Sequence, residues 1–311
     1  MNTVRAASMV YTRSFRFKVR SFRDLYVLMK PGIVYSNTLG ALAGLFLAQG
    51  SGSFNPRALL VYGATLIGIA LVVAGGTTLN NVIDQDIDRK MQRTQHRPVH
   101  QGYVSPMFAT IYGMVLTLVG LAVLYVFAHP LAAQATFIGW LSYVVLYSLW
   151  TKRTTTFNTI VGAIAGAMPT VAGYVAYSQR FDLTAWILLL ILFLWQPAHF
   201  LAIAIRRVDD YARAGVPMLP VLYGSFIAKR QMIVYTLALI PVTLMLYVLG
   251  VTGMVYAIGV FLLGAVYIVL ALMGLRWQGE KERRWVKWMF IYSIIYLTSF
   301  YMLIIVGALV H

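Results

Sequence analysis

Nine long stretches of this sequence contain no Asp, Glu, Lys or Arg. A helix needs roughly 20 apolar residues to cross the hydrocarbon core of a bilayer, and each stretch is about that long. Two longer charge-free runs are each divided once, at His129-Pro130 and at residues 250–253, where proline and glycine break helices. We therefore predict an all-α integral membrane protein whose nine transmembrane helices form a bundle. The predicted extents are 31–49, 58–79, 105–128, 131–150, 157–178, 183–205, 231–249, 254–275 and 288–310.

The Lys and Arg residues support this count, because they alternate between the two sides of the predicted membrane. Basic residues concentrate in the cytoplasmic loops of membrane proteins. When the N-terminus is placed inside, 23 of the 25 basic residues fall in cytoplasmic segments, and only Arg57 and Arg180 fall outside. The pattern predicts a cytoplasmic N-terminus and a C-terminus on the outer side. Topology thus accounts for the net charge of +16, and we expect no nucleic-acid partner.

The composition changes near residue 30, after which the chain becomes strongly apolar. As a whole the chain is 60% hydrophobic and 11% charged, which is typical of membrane proteins. We predict a basic cytoplasmic arm over residues 1–30 and a single membrane domain over residues 31–311. An Arg-rich start that is poor in acids fits a cytoplasmic arm, and it also resembles a mitochondrial presequence. The predicted location is the bacterial inner (plasma) membrane, with the mitochondrial inner membrane as the alternative.

Three of the nine acidic residues, Asp84, Asp86 and Asp88, stand within five positions at the end of the second predicted helix. If that helix continues, Asn80, Asp84 and Asp88 lie on one face with about 6 Å of rise between neighbours, and Asp86 points away. Mg²⁺ typically takes one or two protein carboxylates and completes its shell with water and phosphate oxygens. The cluster therefore predicts a metal-bridged diphosphate site, with a solvated loop of balanced charges as the alternative.

A second pair of acids, Asp209 and Asp210, follows the sixth predicted helix and so lies on the same side. Two acidic segments at the same end of a bundle can form two facing walls of one site, and we predict that these do. Basic side chains on that side are candidates to bind diphosphate oxygens. These candidates are Arg93, Arg97, Lys152, Arg153, Arg206, Arg207 and Arg213.

One histidine, His199, lies inside a predicted span, in the segment Trp195-Gln196-Pro197-Ala198-His199-Phe200. Ionisable groups within membranes often mark functional sites, although a backbone carbonyl freed near Pro197 would satisfy this imidazole equally well. Glycine-rich phosphate loops, nucleophile elbows and zinc-type helix motifs are absent from the sequence, and so is cysteine. A transporter is an alternative class, but it would place acids within spans, whereas all nine lie at or beyond the predicted span ends.

The pattern Asn80-x-x-x-Asp84-x-x-x-Asp88 resembles the first aspartate motif of the UbiA-type intramembrane prenyltransferase superfamily. Further segments resemble one branch of it, the protoheme IX farnesyltransferases, also called heme O synthases. They are Asp88-Arg89-Lys90-Met91-x-Arg93-Thr94-x-x-Arg97-Pro98, Tyr147 with Lys152-Arg153, Asn158, Gly162 to Pro169, Trp195-Gln196 with His199-Phe200, Asp209-Asp210-Tyr211, and Gly215-Val216-Pro217-Met218-Leu219-Pro220.

The resemblance implies a nine-helix bundle around a polar cavity open to the cytoplasmic side. It also implies an Mg²⁺-dependent enzyme that transfers a farnesyl group from farnesyl diphosphate to the 2-vinyl group of heme B, giving heme O. It implies that heme B is a substrate, that the lipid bilayer surrounds the protein, and that a heme A synthase is a candidate partner. The implied metal ligands are Asn80, Asp84, Asp88, Asp209 and Asp210. The implied catalytic residues are Asp84, Asp88, Arg93 and Lys152; the implied diphosphate ligands are Asn80, Arg93, Arg97, Lys152, Arg153, Arg206 and Arg207. Trp195 and His199 are the candidate heme contacts.

One departure from the superfamily pattern concerns the second acidic motif, which usually has two acids four residues apart. Here Asp209 is followed at that spacing by Arg213, which leaves the second metal shell in doubt. A related alternative keeps the Asp84 and Asp88 wall but changes the acceptor to a quinone precursor or a chlorophyll-type molecule.

Overall fold

The computed structural model of the protein describes residues 18–52 and 55–310. Helices account for nearly all of these residues, and the only strand-like pairing among them is a single bridge between Val19 and Val104. The α-helices are α1 Phe22–Leu28, α2 Pro31–Gln49, α3 Pro56–Ile83, α4 Gln85–Asp88, α5 Pro106–Val123, α6 Pro130–Leu141, α7 Lys152–Thr154, α8 Asn158–Ser178, α9 Leu183–Arg206, α10 Val208–Ala214, α11 Leu219–Val248, α12 Met254–Met273 and α13 Gly279–Val310. Two π-helical stretches, Leu124–Ala128 and Ser142–Thr151, continue α5 and α6, and a 3₁₀ turn, Gly274–Arg276, ends α12.

Nine helical segments within the described residues are long and apolar enough to cross a membrane, as predicted. They are Pro31–Gln49, Pro56–Ile83, Pro106–Ala128, Pro130–Thr154, Asn158–Ser178, Leu183–Arg206, Leu219–Val248, Met254–Arg276 and Gly279–Leu309. The predicted all-α membrane bundle is confirmed.

The seventh span begins 12 residues before its predicted start, at Leu219 instead of 231. A charge-free run could start only after Lys229 and Arg230, yet both lie within the helix: Arg230 is exposed on its surface, and Lys229 is 2% exposed inside the bundle. Its ammonium contacts the carboxylate of Glu282 at 2.5 Å and donates to the carbonyl oxygen of Trp277 at 2.7 Å. Because the charge is neutralised by a partner from another helix, the helix continues through it.

The helix starts follow from local chemistry. Proline occupies the first position of α2, α3, α5 and α6, where a missing backbone N–H costs nothing. Side chains of Asn55, Ser105 and His129 cap three of these helices by accepting backbone hydrogen bonds. The break predicted at His129-Pro130 therefore has a physical cause in the cap and the proline.

Small residues allow the closest helix contact, which lies between α2 and α8. A Cβ atom added to Gly44 would come within 2.2 Å of the carbonyl oxygen of Thr170, and one added to Gly173 would come within 2.1 Å of that of Ala41. Both obstacles are backbone atoms, which cannot rotate away. Membrane helices rely on such close packing because lipid removes most of the hydrophobic driving force between them.

One end of the bundle, which we call the polar end, carries the connections at residues 84–105, 155–157, 207–218 and 277–278 together with the start of α2. Residues 18–20 pair with residues 103–105 there, through hydrogen bonds from Arg20 N to Tyr103 O and from Ser105 N to Lys18 O. The predicted arm thus includes the short helix α1 at this end. Its residues 1–17 lie outside the described part of the chain.

Candidate functional site

A cavity of about 680 Å³ opens within the helix bundle near the polar end. This volume falls in the range of small-molecule binding sites. Helices α2, α3, α8, α9 and α13 and the π-helical stretch Ser142–Thr151 all contribute to its wall. Its lining is charged at the polar end, where the connections 84–105 and 207–218 contribute to it, and aromatic deeper in the bundle.

The first acidic cluster lies at the charged end of this cavity. Helix α3 ends at Ile83, but the backbone N–H of Asp84 still bonds to Asn80 O, and that of Asp88 bonds to Asp84 O. The spacing of four therefore continues across the break into α4, and Asn80, Asp84 and Asp88 all line the cavity. Asp84 is fully buried and Asp88 is 2% exposed.

Cations surround the two buried carboxylates. Lys152 donates to Oδ2 of Asp84 at 2.5 Å, and the side-chain amide of Asn80 donates to the same oxygen at 2.8 Å. Arg97 donates to Oδ2 of Asp88 at 2.6 Å. Because Asp84 sits at the negative end of the α3 dipole, its charge needs these neighbouring cations.

One oxygen of this cluster is left without a partner. Oδ1 of Asp84 is buried and has no hydrogen-bond donor within the described residues. A buried carboxylate oxygen without a partner is costly unless a ligand or ion satisfies it. No group of three His, Cys, Asp or Glu side chains lies close together in the described chain. Asp84 and Asp88 therefore fit an Mg²⁺ site in which one or two protein carboxylates bind the ion and phosphate oxygens complete its coordination.

Lys30 is a cavity residue that the spacing argument did not select. It occupies a left-handed backbone conformation with φ 49° immediately before Pro31, and its ammonium donates to Oδ1 of Asn80 at 2.5 Å. Loss of hydration at the cavity wall lowers the pKa of Lys30 well below its ordinary value, and the neighbouring Arg97 lowers it further. A lysine directly before the first proline of the first span is the sequence signal that could have identified it.

Arg93 also reaches the cavity, and it forms no ion pair within the described chain. Its guanidinium is therefore available to an anionic ligand. With Lys30, Arg97 and Lys152 it brings four cations to the charged end of the cavity, against the two carboxylates Asp84 and Asp88.

Asp86 points away from this site, as its position between Asp84 and Asp88 predicts. It is exposed and forms a two-point ion pair with Arg153, with N–O distances of 2.6 and 2.7 Å. The hydrogen bond from Arg153 lowers the pKa of Asp86 to about 2. Arg153 was predicted to bind diphosphate, but the structure engages it with Asp86 and with the carbonyl oxygen of Ile83, outside the cavity.

The second acidic segment does not bring its carboxylates to the cavity, contrary to the prediction of two facing acidic walls. Asp209 is exposed, and Asp210 is buried in ion pairs with Arg213 and, at 4.0 Å, Arg207. Arg206, at the end of α9, is exposed and does not line the cavity either. The helical turn of α10 turns these residues away and presents Tyr211 instead.

The cavity wall deeper in the bundle is aromatic. The rings of Tyr143 and Tyr147 stack with centroids 5.9 Å apart and an interplanar angle of 10°. Both tyrosines lie four residues apart on the π-helical stretch Ser142–Thr151, so their side chains project from the same side of it. The ammonium of Lys152 lies 5.8 Å from the ring centre of Tyr147, so the aromatic wall begins directly beside the charged cluster.

Helix α9 contributes Trp195 and His199, the candidate heme contacts, to the lining of the same cavity. Their rings stack with centroids 4.9 Å apart. The indole N–H of Trp195 donates to Ser293 O at 2.9 Å, and Nδ1 of His199 lies 2.7 Å from Ser293 Oγ. His199 is therefore not satisfied by a carbonyl freed near Pro197.

Comparison with known proteins identifies the architecture of this site. Residues 38–294 match the UbiA prenyltransferase family. The chain belongs to the UbiA prenyltransferase family. Within it, the chain is 44% identical to the protoheme IX farnesyltransferase of Alkalihalophilus pseudofirmus, over 92% of this chain and 90% of that protein. It is also 44% identical to the protoheme IX farnesyltransferase of Bacillus mycoides, over 91% of each chain.

Solved structures of UbiA proteins share the fold. A digeranylgeranylglyceryl phosphate synthase matches with a TM-score of 0.76 at 18% identity, over 93% of this chain and 99% of that one. A UbiA homologue from Archaeoglobus fulgidus, bound to GPP and Mg²⁺, matches with a TM-score of 0.66 at 17% identity, over 91% of this chain and 99% of that one. The chain is thus a membrane prenyltransferase, which rules out the transporter alternative.

Proposed function

We propose that this UbiA family member transfers the farnesyl group of farnesyl diphosphate to the 2-vinyl group of heme B and so produces heme O. The observation that supports the reaction class most strongly is one cavity that joins a cation-ringed pair of buried carboxylates to an aromatic wall. The 44% identity to protoheme IX farnesyltransferases supports heme B over a quinone precursor or a chlorophyll-type acceptor.

At the charged end, we assign Asn80, Asp84 and Asp88 to a bound Mg²⁺, which when present neutralises the diphosphate and favours its departure. The free Oδ1 of Asp84 supports this assignment, as does the A. fulgidus homologue with GPP and Mg²⁺. Lys152 and Arg97 exchange their carboxylate contacts for diphosphate oxygens, while Arg93 and Lys30 add two more cations. These side chains stabilise the charge that develops as the C–O bond of the donor breaks.

The bond between C1 of the farnesyl chain and the diphosphate oxygen breaks with both electrons leaving on the oxygen. The resulting allylic cation lies beside the faces of Tyr143 and Tyr147, which stabilise positive charge through their π electrons. The vinyl π bond of heme B then attacks C1 and forms the new C–C bond. A water molecule adds to the cation left on the vinyl group and loses a proton, which gives the hydroxyethylfarnesyl chain.

We place the heme against Trp195 and His199, which line the same cavity as Tyr143 and Tyr147. The macrocycle is apolar and planar, which suits stacked aromatic side chains. The relatives are bacterial, and we propose the plasma membrane as the location, with the N-terminus and the polar end in the cytoplasm and the C-terminus outside. A heme A synthase is the partner we propose for the product.

The proposal is tested by expressing the protein in a bacterial strain that lacks heme O synthesis and separating the extracted hemes by chromatography. We expect heme O to appear with the wild-type protein and to be absent with Asp84→Ala. Asp86→Ala is the matched control, since it removes a neighbouring carboxylate that does not line the cavity, and it should retain heme O.

Two results would contradict the proposal. If heme B stays unmodified while an aromatic acid is prenylated, the acceptor is wrong. If Asp84→Ala supports as much heme O as the wild type, the carboxylate has no role in the reaction.

A further inference from the structure

His199 occupies an unusual place for an imidazole. It lies seven residues before the end of α9, about 10 Å along the helix from the charged loops. Its ring is held between Trp195 and Phe290, with centroid distances of 4.9 and 5.1 Å. His199 is also the only histidine among the described residues that line the cavity. Packing between these two rings fixes the orientation of the imidazole inside the cavity.

The hydrogen bonds around Ser293 determine which nitrogen of His199 carries the proton. The hydroxyl of Ser293 donates to the carbonyl oxygen of Phe290 at 2.6 Å, which uses its single proton. With that proton directed to Phe290, Oγ of Ser293 accepts, and we assign Nδ1 of His199, 2.7 Å away, as the donor. The proton of a neutral imidazole then resides on Nδ1, and Nε2 carries a lone pair.

Nε2 has no hydrogen-bond partner within the described residues. Some side-chain nitrogen and oxygen atoms in that part of the chain are fully buried without a partner, and Nε2 of His199 is not one of them. Since His199 lines the cavity, its lone pair is accessible from the cavity. The arrangement is the one found where histidine binds metals, with the second nitrogen donating to a protein oxygen that fixes the tautomer and the ring. The Nε2 lone pair cannot bind the carboxylates of a porphyrin, because those groups also carry lone pairs and accept hydrogen bonds. The porphyrin carboxylates would instead pair with the cations at the polar end.

We infer that Nε2 of His199 is an axial ligand to the iron of the heme substrate, and that Ser293 is the positioning residue that holds the imidazole in this tautomer. The inference rests on the proposed function, in which heme B enters this cavity, and adds an iron bond to it. Imidazole is a common protein ligand for heme iron. The bond anchors the centre of the macrocycle on α9, and the edge that carries the vinyl groups then extends into the cavity that Tyr143 and Tyr147 also line.

The test uses the absorption spectrum of purified, full-length protein titrated with heme B in detergent without farnesyl diphosphate. The wild-type protein should give the Soret and visible bands of imidazole-ligated heme. His199→Gly should lose them, and free imidazole added to this variant should restore them. Metal-free protoporphyrin IX serves as the control, because it should bind the wild type and His199→Gly within about twofold of each other if His199 acts only through iron.

Ser293→Ala separates positioning from ligation. The iron–imidazole bands should persist, but the affinity for heme B should fall by about 10- to 100-fold, the usual effect of losing the partner of a metal-bound histidine. The iron–histidine stretching frequency in the resonance Raman spectrum should fall, because Nδ1–H loses its acceptor. Protoporphyrin IX binding should again be unchanged.

The outcomes separate the inference from the function beneath it. If His199→Gly binds heme B with the wild-type spectrum, another cavity side chain such as Met168 or Met218 holds the iron and the inference is overturned, while heme B remains a substrate. If His199→Gly loses protoporphyrin IX as well, the ring acts by packing, and the inference is again overturned. If the wild-type protein binds neither porphyrin, both the inference and the proposed function fail.

Discussion

Lys30 offers the sharpest test of how the charged end of the cavity works, because it was placed there by the structure and not by the acidic motif. Its ammonium lies 2.5 Å from Oδ1 of Asn80 and shares the cavity with Lys152 and Arg97. We expect Lys30 to turn from this neutral oxygen to the diphosphate of the donor. Replacing it with methionine keeps an unbranched side chain only one atom shorter and removes the charge.

The size of the effect follows from the kind of contact that is lost. A hydrogen bond between charged groups contributes about 1.5–3 kcal/mol. At about 1.4 kcal/mol for each factor of ten, Lys30→Met should lower kcat/KM for farnesyl diphosphate by roughly 10- to 150-fold. The dissociation constant for heme B should change by less than about twofold, since its proposed wall lies on α9.

The assay measures farnesyl transfer to heme B by the purified protein in proteoliposomes, with each substrate varied in turn. Lys30→Arg should retain most of the activity because it keeps the positive charge. Lys18→Met is the matched control, since Lys18 belongs to the same arm but does not line the cavity. The reasoning is refuted if Lys30→Met behaves like Lys18→Met, or if it weakens heme B instead of the diphosphate donor.

Two further predictions concern stability. Gly44→Ala should lower the free energy of unfolding in detergent by about 1–3 kcal/mol, because its Cβ would meet the backbone of α8 at 2.2 Å. Gly63→Ala is the control, since a Cβ there would have no atom within 4 Å. Equal melting temperatures for the two variants would contradict the close α2–α8 contact. Asp86→Asn should be slightly less stable than the wild type above about pH 4, because it loses the ion pair with Arg153. The difference in the free energy of unfolding should close as the pH falls toward 2, since Arg153 lowers the pKa of Asp86 to about 2 and the carboxylate becomes protonated there. A gap in acid-unfolding experiments that widens below pH 4 would show that the pair has no such linkage.

The membrane architecture could be predicted from the sequence because hydrophobic length and helix-breaking residues are local properties. All nine predicted spans correspond to described helices. The seventh began too late because the ion pair between Lys229 and Glu282 joins residues 53 positions apart. No local sequence pattern predicts that a charged residue will form an ion pair with a residue of a distant helix.

The charged end of the site was predictable only in part. Helical spacing separated Asp84 and Asp88 from Asp86, because hydrogen bonds four residues apart continue across the helix break. Asp210 does not line the cavity as expected from its side of the membrane; it pairs with Arg207, directly before α10, and with Arg213 within α10. The direction of α10 depends on tertiary packing, which spacing cannot show.

The aromatic wall was beyond sequence reasoning for a different reason. The chain contains 20 Tyr, 16 Phe and 7 Trp residues, and composition cannot choose among them. Tyr143 and Tyr147 lie on a π-helical stretch, with their rings stacked and Lys152 beside Tyr147. Such a change in helical winding has no reliable sequence signature.

The central claim of this account is that Asp84 helps to bind the diphosphate of the prenyl donor through a divalent cation. The most direct measurement is calorimetric titration of a non-reactive farnesyl diphosphate analogue into the purified protein, with and without Mg²⁺. We predict that Mg²⁺ strengthens binding at least tenfold in the wild type and in Asp86→Asn, and that Asp84→Asn loses this gain. If Mg²⁺ strengthens binding equally in Asp84→Asn, the claim is contradicted.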